Sequence, residues 1–185
     1  MGPGGYIEEV VMNLIADSLI AKLKWYPEIE FMRNNRGNTY AGHVAESDAY
    51  HPDLHLGIHS DALNGQARGC TVFCYNPSNL ASAGTQMAYL LYARVSALTP
   101  TADRGVRAGT MAEVKTVKAP ATLIEIAFHD NPDDAAWIVK HIEEIANAIF
   151  MSILDLWKIP PVLDPVEYAL MKTAIKDIKD IVNPL

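Results

Sequence analysis

The sequence predicts an α/β domain: a mostly parallel, twisted sheet with helices on both faces, followed by a C-terminal amphipathic helix. Three observations predict it. Short runs of strand character alternate with longer runs whose apolar residues recur every three or four positions, the order of a parallel sheet with crossover helices. Leu54, Leu56 and Ile58 alternate with Asp53, His55, Gly57 and His59, the period of a strand with unlike faces. Residues 122–128 form a second apolar run, interrupted by the single carboxylate of Glu125.

Taken in order, residues 1–5 are a glycine-rich lead-in. Residues 6–23 read as a helix, with Ile7, Val11, Leu14 and Ile15 on one stripe and Glu8 and Glu9 at its positive end. A short strand is expected over 29–33, closed by the turn at 34–38. A short helix over 39–48 leads through Pro52 to the central strand, 54–59. Asn64-Gly65 marks a turn before a β-branched and aromatic strand over 69–75. Residues 80–98 form a helix with Met87, Leu90, Leu91 and Val95 inward, and 99–120 are mostly loop with one short strand. After the Glu125 strand, one long helix is expected over 133–157, striped by Ile138, Ile142, Ile145, Ile149, Ile153 and Leu156. Domain organisation follows: 1–158 is one unit, and 159–185 is a Pro-containing linker with an amphipathic helix over 166–182.

Composition narrows the classes. A chain of 185 residues, half apolar and a fifth charged, is globular and long enough for a substantial core. A net charge of -7 argues against nucleic acid as a partner, which calls for a basic face. No apolar run reaches membrane length. The first twenty residues hold Glu8, Glu9 and Asp17 and lack the basic start of a signal peptide. Cys70 and Cys74 lie on one expected strand, about 13 Å apart at Cα, too far for a disulfide, so both are expected as buried thiols.

The chemistry rests on few residues. His59 ends a buried strand, where open α/β sheets bind their ligands; it is either a metal ligand or a histidine satisfied by hydrogen bonds. His55 stands about 13 Å away along the strand, far beyond the roughly 2 Å of a Zn–N bond to a shared ion. Glu125 is an acid in an apolar strand, so it is paired, metal-bound or catalytic; the structural alternative is an ion pair with an arginine such as Arg104. Glu9, taken alone, is an acid in the first turn of a helix.

Order and context add more. Glu9-Val10-Val11-Met12-Asn13-Leu14-Ile15-Ala16, then Leu56-Gly57-Ile58-His59-Ser60-Asp61-Ala62, then Arg104-Gly105-Val106, then Leu123-Ile124-Glu125-Ile126-Ala127-Phe128-His129-Asp130-Asn131 resemble the zinc-dependent N-acetylmuramoyl-L-alanine amidases of the Amidase_3 type. The resemblance runs in the correct order over roughly residues 4–157. It implies Glu9 and His59 as ligands of Zn²⁺ and Glu125 as the catalytic carboxylate. Glu8 is the weaker ligand candidate, because the family's glutamate stands four residues before the asparagine matched by Asn13. It also implies peptidoglycan as substrate, secretion or cell-wall association, and cleavage of the bond between N-acetylmuramic acid and L-alanine.

One departure stands out. The family carries a further ligand histidine in a Gly-rich loop after its first strand, and only Gly4-Gly5 remain of that region here. The expectation is therefore a domain lacking its first strand and one zinc ligand, with homo-oligomers offered through the open sheet edge or the C-terminal helix. Two rivals follow: a metal-poor relative that binds wall peptides without cutting them, and a carboxypeptidase-like zinc peptidase. The second needs an arginine for a terminal carboxylate, and Arg104 and Arg107 are the available ones.

Overall fold

The computed structural model describes residues 2–101 and 104–161, and Thr173. A 3-10 turn, Pro3–Gly5, precedes α1 (Glu8–Leu23) and α2 (Tyr40–Tyr50). There follow β1 (His55–Asp61), β2 (Thr71–Cys74), α3 (Ala83–Val95), β3 (Val106–Ala108), α4 (Ala112–Lys115), β4 (Ala121–Phe128), α5 (Pro132–Lys140) and α6 (Ile142–Trp157). The four strands form one sheet in the order β1-β4-β2-β3. Two of its ladders, β1 with β4 and β2 with β3, are parallel; β2 runs antiparallel to β4.

β4 is an inner strand of the sheet, between β1 and β2, because its sequence can be buried on both faces. Ile124 and Ile126 are fully buried, and Ala121, Leu123 and Phe128 nearly so. Ile124 and Ile126 join Val72 and Cys74 in a core closed by Ile15 and Leu19 of α1, Met87 and Leu91 of α3, and Ile145 and Ile149 of α6. Burying a side chain of that size is worth about 1.5–3 kcal/mol, so this layer carries the fold. α3 lies close against the strand: a Cβ on Gly84 would stand 2.5 Å from the Ala121 carbonyl oxygen. On the other side α4 packs against β4 and β2, and α2 packs on α4. Helices therefore cover both faces.

The strand bearing His59 is the sheet's edge rather than its centre. Leu54, Leu56 and Ile58 are accordingly only partly buried, while His55 and Gly57 of the opposite face are buried. Residues 29–33 are not in the sheet: no described strand pairs with them, and an extended run becomes a strand only through a ladder. Arg33 ties this segment to α1 through Asp17 and the Asn13 carbonyl. The expected long helix over 133–157 breaks at His141, which leaves helical geometry (φ -117°, ψ 28°). Its ring stacks on Trp137 at 5.1 Å. α6 ends at Lys158 in the left-handed region, and Pro160 and Pro161 prevent its continuation. The helix expected over 166–182 lies, Thr173 apart, outside the described residues. Both cysteines are buried and not joined in a disulfide, as expected.

Candidate active site

Parallel pairing of β1 with β4 places His59 directly beside Glu125. Side chains on paired positions share a face, so both point to the face that also carries His55. The register then slips between His59 and Asp61, a bulge that re-aims the strand end. The start of α1 closes over this end. Tyr6 donates its hydroxyl to Ser60 Oγ (3.1 Å) and stacks on His129 at 5.4 Å. His129 Nδ1 lies 2.7 Å from the Ser60 carbonyl oxygen.

At the centre, both ring nitrogens of His59 face carboxylates. Nδ1 is 3.1 Å from Glu8 Oε1, and Nε2 is 3.1 Å from Glu113 Oε2. Glu8 Oε1 also accepts the Ser60 backbone N–H at 3.1 Å. The other Glu113 oxygen faces His55 Nε2 at 3.8 Å and His43 Nδ1 at 4.0 Å. His55 is held from behind by Ser47 Oγ, 2.9 Å from its Nδ1. His55 and His59 thus both turn a ring nitrogen to this one carboxylate.

Electrostatics sorts these acids. Burial pushes Glu113 up, but the histidines facing it win and hold it at about 2. Glu8 is likewise pulled below the usual carboxylate range, its burial outweighed by His59 and the Ser60 N–H. Burial would make His59 a weaker base, yet Glu113 and Glu8 raise it to about 10. Glu125 goes the other way. Burial pushes it up to about 8, and the opposing pull of His59 does not cancel this. Among the described residues its Oε2 is buried with no hydrogen-bond partner, which a carboxylate seldom is unless it has a task.

Arg104 is not its partner; the guanidinium lies over the Phe128 ring, 4.8 Å from the centroid. Arg107 donates from Nε to the Arg104 carbonyl (2.9 Å). Neither arginine lines the adjoining cleft, a space of about 1210 Å³ between α1, the segment 28–40 and β1.

Of the residues expected at the site, His59 and Glu125 are brought together and Glu9 is not. Glu9 is exposed, and Glu8 is the acid that reaches the imidazole. Successive helix residues point about 100° apart, so only one of the pair can face the ring. Glu113 lay in a stretch expected as loop, and no spacing signal identifies it.

Glu8 Oε1 and His59 Nδ1 have the donor chemistry and separation of two corners of a zinc shell. Two tetrahedral ligands on 2.0–2.1 Å bonds stand about 3.3 Å apart. Among the described residues no group of three or more His, Cys, Asp or Glu side chains is disposed to hold a metal ion. The remaining corners need other donors.

An α/β sheet that collects histidines and carboxylates at a strand end has the layout in which open sheets of this class bind their ligands. Sequence comparison gives the family. The model of Amidase_3, N-acetylmuramoyl-L-alanine amidase, matches residues 1–155, and the chain belongs to that family. Its members are generally zinc-dependent.

The chain is 26% identical over 137 residues to an uncharacterized cell wall amidase of Bacillus anthracis, covering 70% of this chain and 23% of that protein. It is 25% identical over 149 residues to the N-acetylmuramoyl-L-alanine amidase LytC of Bacillus subtilis, covering 78% and 30%. It thus spans under a third of the length of these relatives. The fold resembles that of an N-acetylmuramoyl-L-alanine amidase from Clostridium difficile 630, with a TM-score of 0.75 and 18% identity over 84% of this chain and 86% of that one.

Proposed function

We propose that this chain hydrolyses peptidoglycan at the amide bond between N-acetylmuramic acid and L-alanine, using Zn²⁺ held in part by Glu8 and His59. The observation that carries the reading is Glu125, a buried carboxylate with one oxygen unpartnered among the described residues, in register beside a histidine that already meets Glu8. Zinc bound there supplies Lewis acidity, lowering the pKa of a water and polarising the scissile carbonyl.

The residues do the rest. Glu125 accepts the proton of the attacking water and returns it to the leaving amine. A pKa near the working pH suits both steps, and burial is what raises a carboxylate there. The open cleft beside the site suits a long polymer better than a small closed ligand would. The working place is the cell wall, reached by secretion or release; no helix among the described residues is long and apolar enough to cross a membrane.

The test is digestion of purified walls with identification of the new amino terminus. Glu125→Gln should keep metal and lose about 10²–10⁴ in rate. His59→Ala and Glu8→Ala should lose metal, and Glu9→Ala should do neither. Release of a C-terminal residue instead would support the carboxypeptidase-like reading, although neither Arg104 nor Arg107 reaches the cleft. A second reading, a wall-peptide binder that does not cut, draws on the absence of a three-residue metal cluster among the described residues. Wild-type protein that retains walls but contains no zinc and releases no product would favour it.

A further inference from the structure

We propose that Glu113 is a positioning residue: it holds the Nε2–H of His59, so that Nδ1 is the nitrogen presented beside Glu8. This rests on the zinc reading above and adds a residue to it.

Glu113 sits on the four-residue α4, and its side chain is only 9% exposed. A buried carboxylate requires compensation. Among the described residues its ion-pair partners are three histidines, His43, His55 and His59, and no lysine or arginine. A carboxylate serving the fold alone is ordinarily neutralised by a permanent cation; this one is built around imidazoles.

The order of contacts gives it direction. From Ser47 the chain of contacts runs through His55 and Glu113 to His59 and ends at Glu8. The Glu113 end is the deeper one, and Glu8, 33% exposed, is the open one. A neutral imidazole has one N–H and one lone pair. A carboxylate on one nitrogen keeps the proton there, turns the lone pair of the other outward and makes it more basic. With Glu113 on Nε2, the lone pair falls on Nδ1, at the corner shared with Glu8. In this role Glu113 acts through His59 rather than on the reacting bond, although it also lines the cleft.

The test compares wild type with Glu113→Gln, Glu113→Asp and Glu113→Ala. Zinc affinity is measured by chelator competition, and the His59 ring protons by nitrogen-15 NMR with and without zinc. Expected in the zinc-loaded wild type is a proton on Nε2. Glu113→Ala should lose that protected proton and about 10- to 100-fold in zinc affinity. Glu113→Asp should recover part of both, and kcat should fall more than KM rises.

Zinc affinity and the Nε2–H signal unchanged in a folded Glu113→Ala protein would overturn the proposal. So would a proton on Nδ1 in the zinc-loaded wild type, because Glu113 would then face the metal side. Glu113→Gln, whose amide oxygen can still accept the N–H, should keep the signal. If the wild type takes up no zinc, it is the zinc reading that fails. The metal-free comparison still decides for Glu113: an Nε2–H resonance lost in Glu113→Ala supports its hold on the ring, and one left unchanged refutes it.

Discussion

Glu125 sits where an ionised carboxylate is least comfortable. Burial raises its pKa to about 8, so the folded chain prefers the neutral acid. The sign follows from linkage. Stability from this group is complete below its unfolded value, near 4.3, and is lost as pH rises through about 8. A shift of that size corresponds to a few kcal/mol, on the order of 1.4 kcal/mol per pKa unit. Glu125→Gln, neutral at every pH, should therefore melt higher than wild type in chelator, with a wider gap at about pH 9 than at about pH 5. Thermal unfolding at the two pH values checks this, and a gap that narrows in alkali would mean the carboxylate is solvated. Glu125 was legible because a lone acid in an apolar run has few explanations. Glu8 against Glu9 was not, because two consecutive acids differ only by helix phase, and phase is set where α1 begins. Glu113 was illegible for another reason: what makes it special is His59, 54 positions away in sequence.

At the scale of elements, the periodic signals held and the junctions did not. Alternation and three-to-four spacing located α1, β1, α3 and β4, although Ile7 and Leu14 of the expected α1 stripe are exposed and the apolar face of β1 is only partly buried. The break between α5 and α6 went unseen, because the isoleucine stripe continues across His141 and only the backbone of that residue leaves the helix. The start of α5 has a local cause. Asn131 Oδ1 accepts the N–H groups of Asp133 (3.1 Å) and Asp134 (3.3 Å), and Pro132 occupies the first turn, where its missing N–H costs nothing. The same side chain donates to the Gly65 carbonyl at 3.1 Å, tying the loop after β1 to the end of β4. Asn131→Ala should cost about 1–2 kcal/mol, the upper part of the range for a lost cap. Asn131→Asp should keep the cap and lose only the tie to Gly65. Denaturant titration of both variants checks this; an alanine variant as stable as wild type would mean that packing alone starts the helix.

At the scale of the molecule, the sheet is open on the side of the site. Among the described residues β1 pairs only with β4, and beyond its other edge lies the cleft walled by α1 and the segment 28–40. The cleft was not legible, because it arises where three segments distant in sequence converge. The open edge has a direct consequence. His55 donates its N–H to the Pro120 carbonyl on the β4 side. Since successive residues of a strand turn their backbone groups to opposite edges, Leu56 and Ile58 offer theirs to the cleft. An unpaired row of that kind recruits another strand, and a second copy of the chain supplies one. Self-association rising with concentration is therefore the expected behaviour, measurable by sedimentation velocity. Leu56→Pro should weaken it, because proline removes a donor from the open edge while leaving the β4 ladder intact. Circular dichroism distinguishes that outcome from unfolding. A folded Leu56→Pro protein that associates as strongly as wild type would move the contact to another surface. A wild type that stays monomeric at every concentration would mean that the walls of the cleft already keep other strands out.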